Sequence, residues 1–420
     1  MQRLLLPRKA MALAPILVAM GLFCPSLPGE NWPQFRGANG RGVSQESGFP
    51  LAWGADRISW MIELPGMGHS APVIWGNKLF LTSAGESGTV RYVMCLDART
   101  GERIWTRVMG FNPSGRHPKS SWASSTPAVD GERVYVVFAD TERQMLTAYD
   151  FDGNLTWRKI IGSYESQHAQ GVSPIVFEDL VVLTNDQDGP SSIIACDKRT
   201  GRTVWSVLRH SGPQSTSYAT PFIYQPKVGR PELICSSTHT GVSGLDVRTG
   251  QTLWTTKSLP MRTVGSPVLA EGLVFQTCGV GGQGKLMLAV DPNEHGAVSA
   301  TRIRYQRTQI LPYVPTPVAF RNYLFLWNDR GVVCCMDPQT GKDIWTKRVG
   351  GDFSGSPICA SGMLFNMDEN GDVVVLSASS EFKVLGKIPL GDPSHSTPAV
   401  ANGRLYFRTF HHLACVTARQ

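Results

Sequence analysis

Several signatures are missing from this chain of 420 residues, and each absence removes a class of function. It has no Cys-x-x-Cys-His for haem attachment and no paired Cys-x-x-Cys for structural zinc. No block of five like charges occurs; basic and acidic residues are interspersed, which reads as a solvated mixed surface and not as a nucleic-acid footprint. No long amphipathic helical stretch follows residue 30, and no Ser-His-Asp order or paired-carboxylate motif can be assigned. The apolar run 10–23, preceded by Arg3, Arg8 and Lys9, falls short of the roughly 20 residues that cross a bilayer. Residues 1–29 read instead as a secretory signal peptide, and a periplasmic or secreted mature chain is expected. Phe23 is too bulky for the small residue that precedes a lipidated cysteine, which argues against lipidation at Cys24. Membrane association is expected only if the N-terminus is retained or lipidated.

What is present is periodic. The 43 glycines and 28 prolines serve many tight turns, and one phrase recurs: Asp, two residues, Thr-Gly, three residues, Trp. Its copies are Asp97-Thr100-Gly101-Trp105, Asp197-Thr200-Gly201-Trp205, Asp246-Thr249-Gly250-Trp254 and Asp337-Thr340-Gly341-Trp345, with a shortened Asp150-Gly153-Trp157. A recurrence of roughly 45–50 residues predicts stacked supersecondary units. The Asp accepts backbone amides two or three residues on, and the Gly closes a hairpin. The Trp then falls on an outer strand, where its ring covers the seam to the next unit. A second mark is a Ser, Thr or small residue before Pro72, Pro127, Pro174, Pro221, Pro267, Pro317, Pro357 and Pro398. Proline suits the first residue of a strand, so eight prolines predict eight four-stranded units. The last unit has three strands before Gln420, while Arg57–Leu64 is an outer strand without a hairpin. A ring closed by that strand uses both leftovers and hides an edge. The expected fold is all-β, an eight-bladed β-propeller of four-stranded antiparallel blades over 55–420, behind an N-terminal extension 30–54. The fifth copy (Asp291 to Tyr305) and the seventh (Leu376 to Leu385) are degenerate.

Cys95, Cys196, Cys335 and Cys415 are expected at equivalent places in third strands, as buried small hydrophobes. A Cys235–Cys278 disulfide between adjacent blades is allowed by an oxidising compartment but is not readable from sequence.

The repeated phrase on a secreted eight-blade pattern resembles the pyrroloquinoline quinone (PQQ) dehydrogenase-like repeat superfamily over roughly 55–420. The opening Asn31-Trp32-Pro33-Gln34-Phe35-Arg36-Gly37 is similar to the start of many secreted PQQ-binding-like propellers. The resemblance implies two branches, quinoprotein alcohol dehydrogenases and cofactor-free scaffolds such as the outer-membrane assembly lipoprotein, and the chain reads closer to the second. A dehydrogenase would clamp PQQ between an aromatic ring and an adjacent-cysteine disulfide, with calcium on oxygen ligands. Cys334-Cys335 is such a pair, but neighbours in a strand point to opposite faces, so a structural role is expected. Asp368, Asn370 and Asp372 are candidate metal ligands that also suit a turn, as do Asp186 and Asp188. No cofactor is expected, with PQQ and calcium as the competing case.

The polar positions that differ between repeats lie just before the prolines: His69, His117 with Trp122, His168, Tyr218, Arg262, Tyr313 and His395. In a propeller these connections converge at one rim of the channel. They are the expected site for a small polar ligand or an envelope or extracellular protein partner, in a binding or scaffold module. An alcohol or sugar oxidoreductase and a carbohydrate-binding propeller are the alternatives.

Overall fold

The computed structural model describes residues 30–49, 55–293 and 302–417; the expected signal peptide 1–29 with Cys24, and residues 50–54, lie outside them. Among the described residues the strands form eight four-stranded sheets. The first runs outward in chain order through Val73–Trp75, Lys78–Ala84, Val90–Asp97 and Arg103–Gly110. The eight inner strands begin at Val73, Ala128, Ile175, Phe222, Val268, Val318, Ile358 and Ala399, each directly after a proline of the sequence pattern. The eighth blade takes Ala399–Ala401, Arg404–Arg408 and His412–Thr417 from the C-terminal end and Ile58–Glu63 from the N-terminal end. Trp60 pairs with Cys415 and Ile62 with Leu413, antiparallel, so the ring is closed as the leftover strands predict.

The core lies between blades more than within them. One cluster joins Phe80, Val93, Cys95 and Trp105 of the first blade to Val129, Val134 and Val136 of the second. The repeated phrase builds these seams. Asp197 Oδ1 accepts the amides of Arg199 (3.1 Å) and Thr200 (2.8 Å), closing the hairpin. The same carboxylate-to-amide pattern recurs at Asp97, Asp246 and Asp337. Trp157 of the preceding blade packs on Gly201 and donates its indole N–H to the Lys198 carbonyl at 2.9 Å. Trp105, Trp205 and Trp345 donate at 3.0 Å to Phe151, Val247 and Ser379 of the blade that follows each. In the degenerate fifth unit Tyr305 substitutes, its hydroxyl reaching the Pro338 carbonyl at 2.6 Å and its ring covering Gly341. Trp254 departs from the pattern by donating to Glu232 of its own blade at 2.7 Å, beneath the Arg302 guanidinium.

Each of these indoles needs a small residue opposite it. Cys95, Ala148, Ala195, Gly244, Cys335 and Cys415 are the Cα partners of Trp105, Trp157, Trp205, Trp254, Trp345 and Trp60. The expected equivalence therefore fails for Cys196, which pairs with Thr203 one residue beyond Ala195 and faces the other way. All the cysteines among the described residues are free and buried, Cys235 and Cys278 included. Cys334 and Cys335 enter different core clusters on opposite faces of their strand.

A second set of bonds rings the channel. The residue before seven of the eight prolines uses its amide to bind the hydroxyl of the equivalent residue one blade on. Ala71 donates to Thr126, Thr126 to Ser173, Ser173 to Thr220 and Thr220 to Ser266, then Ser266 to Thr316, Thr316 to Ser356 and Ser356 to Thr397. The distances run from 2.9 to 3.2 Å. At the last seam residue 71 is alanine and offers no hydroxyl. There the fully buried Arg408 crosses instead, donating to the Ser70 carbonyl at 3.0 Å and the Ser83 hydroxyl at 2.9 Å.

Residues 30–49 are folded against the ring. Trp32 exchanges backbone bonds with Ile74 of the first blade, and the Pro33 carbonyl accepts from Val129 of the second. Asn39 brackets Ile223 of the fourth blade with two bonds of 2.7 and 2.8 Å. Arg36 donates to the carbonyls of Pro317 (2.8 Å) and Pro357 (3.2 Å), and Glu46 accepts from Gly403 of the eighth blade at 2.7 Å. The segment thus spans the channel end that carries the turns between first and second strands. Burial holds the Arg36 guanidinium down to about 9, and its backbone sits in the left-handed region at φ 61, a conformation kept only where surrounding contacts over-determine it.

Gly201 tests the seam. At φ 70 any Cβ is strained, and here it would also lie 2.5 Å from Cε3 of Trp157. Gly201→Ala is expected to cost about 2–4 kcal/mol. Gly76→Ala, at φ 57 with open space around it, is expected to cost about 1 kcal/mol. Chemical denaturation midpoints compare the two directly.

Candidate functional site at the channel mouth

Strand direction decides which side chains meet. Inner strands run away from their prolines, so the connections entering them share one end of the channel with the turns between second and third strands. Every histidine among the described residues lies at that end: His69, His117, His168, His210 and His395 in connections, and His239, His411 and His412 at second-to-third turns. The Asp-Thr-Gly turns and residues 30–49 occupy the other end.

A cavity of about 500 Å³ opens there. It gathers His69, His117, His168, Tyr218, Arg262, Tyr313 and His395 from seven connections. Its throat is the hydroxyl ring, through Ser173, Thr220, Thr316, Ser356 and Thr397, and Phe35 of the N-terminal segment also lines it. Trp122 is not among the lining residues. Its indole donates to the Ser114 carbonyl at 2.9 Å, and its ring lies against Gly88 and the Arg91 and Arg116 guanidiniums. Adjacency to His117 in sequence did not fix its direction.

The histidines are paired. His69 and His395 rings are 4.7 Å apart, with Phe410 5.1 Å from His69, while His117 and His168 are 4.5 Å apart, with Tyr218 5.7 Å from His168. Burial, then Arg262, then His117 push His168 down to about 4. Burial, and next the neighbouring His395, hold His69 well below the usual imidazole range. Both are neutral at pH 7. Arg262 reaches His168 Nδ1 at 3.2 Å and Gln167 Oε1 at 3.4 Å. Since a guanidinium only donates, His168 accepts at Nδ1 and carries its proton on Nε2.

Residues outside the expected set complete the mouth, chiefly on turns between second and third strands. Lys119 pairs with Glu369 at 2.7 Å, and its carbonyl lies 3.2 Å from His395 Nδ1. Asp329 accepts the amides of Tyr313 (2.7 Å) and Val314 (3.1 Å), and Arg330 pairs with Asp352 at 3.4 Å. Alternating strand direction was the available signal for these turns. For Phe35 it was the Asn31–Gly37 phrase.

The metal candidates lie in a turn. Asp368 accepts the amides of Asn370 (3.0 Å) and Asp372 (2.9 Å), and the Lys387 ammonium stands 2.7 Å from Asp372 and 3.7 Å from Asp368. Asp186 is paired with Arg209 at 2.9 Å, and Asp188 accepts from Thr216. Among the described residues no three His, Cys, Asp or Glu groups are placed to hold a metal ion. The donor set for PQQ fits no better. The diverging Cys334 and Cys335 are buried in separate core clusters, and neither lines the mouth, so they cannot clamp a quinone there.

A family model described as outer membrane protein assembly factor BamB matches residues 89–315 and 306–381. Tetrathionate hydrolase of Acidithiobacillus ferrooxidans is 24% identical over 260 residues, 58% of this chain and 48% of the hydrolase, so the match spans about half of that relative. Among solved structures, BamB from Moraxella catarrhalis aligns with a TM-score of 0.59 at 14% identity, over 86% of this chain and 98% of that one. Quinohemoprotein alcohol dehydrogenase from Comamonas testosteroni aligns at 0.67 and 13% identity, over 92% and 80%. At these identities the structural likeness is one of fold. Among the described residues no helix is long and apolar enough to cross a membrane.

The depressed imidazoles carry a pH signature. The unfolded chain takes up protons below pH about 6.5 while folded His69 and His168 resist them, so the stability they contribute is complete above that pH and falls as pH drops below it, for His168 down to about 4. The melting temperature is expected to be lower at about pH 5 than at pH 7. His69→Phe, which keeps the contact with Phe410, should narrow that gap without closing it.

Proposed function

The chain belongs to the outer membrane protein assembly factor BamB family, and from that premise we propose that it is a periplasmic or secreted binding module that holds a small polar ligand at the channel mouth and works without PQQ. The observation that carries this reading is the convergence of seven polar or aromatic side chains from seven connections on one cavity of about 500 Å³, a size typical of small-molecule sites. A shared throat of backbone-bound hydroxyls supports it, since such a rim is preorganised and loses little freedom on binding. The family description, an assembly factor, supports a scaffolding use of the same face, with an envelope or extracellular protein as partner. The diverging cysteines and the lysine-paired carboxylates speak against a quinone oxidoreductase. A secreted or periplasmic address follows from the N-terminal signal pattern and is proposed on that ground.

The test is equilibrium dialysis against a small-molecule cell extract, read by mass spectrometry. Val280 lines the cavity and is 58% exposed, so Val280→Trp should narrow the mouth without disturbing the core. Wild type is expected to retain at least one compound on the order of tenfold over that variant. Equal retention, or none, contradicts the proposal, as does quinone absorbance acquired on adding PQQ and calcium.

A further inference from the structure

We propose that the molecule held at this mouth ends in a carboxylate on an apolar body, and that Arg262 recognises the carboxylate; this rests on the mouth being a binding site. Three cationic side chains line the cavity: Lys119, Arg262 and Arg330. Lys119 is neutralised by Glu369 at 2.7 Å and Arg330 by Asp352 at 3.4 Å. Among the described residues no acid pairs with Arg262. Its guanidinium meets Gln167, the neutral His168 and the Tyr313 hydroxyl, and among the described residues its buried Nε has no hydrogen-bond partner. The remaining carboxylate on the wall, Asp329, spends both oxygens on the amides of Tyr313 and Val314.

Arg262 is therefore the one cationic side chain on the wall whose planar fork meets no carboxylate, and that fork is the geometry that binds a carboxylate through two parallel bonds. One unpaired fork matches a single carboxylate better than a phosphate dianion. The fork is held in place from behind: the Arg262 carbonyl accepts the Gly279 amide at 3.0 Å, and the Tyr313 ring packs so closely on Gly279 that a Cβ there would lie 2.9 Å from it. Around it Phe35, Val264, Val280 and Val314 supply an apolar wall, which favours a hydrocarbon or aromatic body behind the charged end. A free small acid and a polypeptide C-terminus share this chemistry.

Calorimetry at pH 7 and fixed salt separates the cases, with 3-phenylpropionate, its primary amide, inorganic phosphate, and N-acetyl-Ala-Ala-Phe with a free or amidated C-terminus as probes. At least one acid is expected to bind at least about tenfold more tightly than its own amide. Preference for phenylpropionate supports a small-molecule source, and preference for the free peptide supports a chain end. Arg262→Met should bring acid and amide within about twofold while the melting temperature holds, and Arg262→Lys should keep part of the preference. Acid and amide binding equally, phosphate outcompeting both acids, or no acid binding at all overturns the carboxylate assignment. If instead an acid binds undiminished to Val280→Trp, the failure lies with the mouth as the binding site, because the probe is then held elsewhere.

Discussion

Around the throat of the channel, one backbone amide in seven of the eight blades gives its hydrogen to a serine or threonine hydroxyl of the next blade, and the rest of the molecule hangs from that ring. Each bond is worth only about 1 kcal/mol net, but seven of them in series fix the start of seven inner strands against their neighbours. Proline follows each donor residue, so the ladder loses nothing where the strand begins. At the other end the indoles and Tyr305 clasp the turn of the following blade. Five seams are therefore held both near the axis and toward the rim, which lets the connections between blades vary without loosening the ring. The one seam whose acceptor position is an alanine lies between the eighth and first blades, where the buried Arg408 and the Ser396 hydroxyl both reach the Ser70 carbonyl.

The local physics of this fold was legible in the sequence. Asp-x-x-Thr-Gly turns close on themselves, and a proline before a short apolar run marks an inner strand wherever it falls. The split eighth blade could be inferred because an unpaired outer strand at one end answered a missing one at the other. Contacts across the ring were not legible. Arg36 meets the Pro317 and Pro357 carbonyls across separations of 281 and 321 residues, and no spacing rule reports such a pairing. Cys196 shows the limit on a finer scale, since a displacement of one residue in a strand turned it from the tryptophan to the opposite face.

The mouth divides the same way. Its histidines, tyrosines and Arg262 could be gathered because all precede an inner-strand proline and must converge. Lys119, Asp329 and Glu369 escaped notice because their place depends on partners brought in from other blades. The phrase that most resembles a functional signature, Asp-Thr-Gly-Trp, supplies scaffold only, and the positions where repeats differ supply the chemistry. Residues 30–49 join the two, since Trp32, Arg36 and Asn39 bind inner strands while Phe35 reaches the cavity. Phe35 of that segment thus forms part of the floor beneath the cavity.

That claim of a rigid throat beneath a variable rim is tested most directly by native-state hydrogen exchange of the amides before the eight prolines. Residues 71, 126, 173, 220, 266, 316 and 356 are predicted to exchange only through global unfolding, with Thr397, which faces an alanine across its seam, exchanging fastest of the eight. Rapid and uniform exchange at all eight positions would contradict the account, because the mouth would then have no fixed frame on which to hold a ligand.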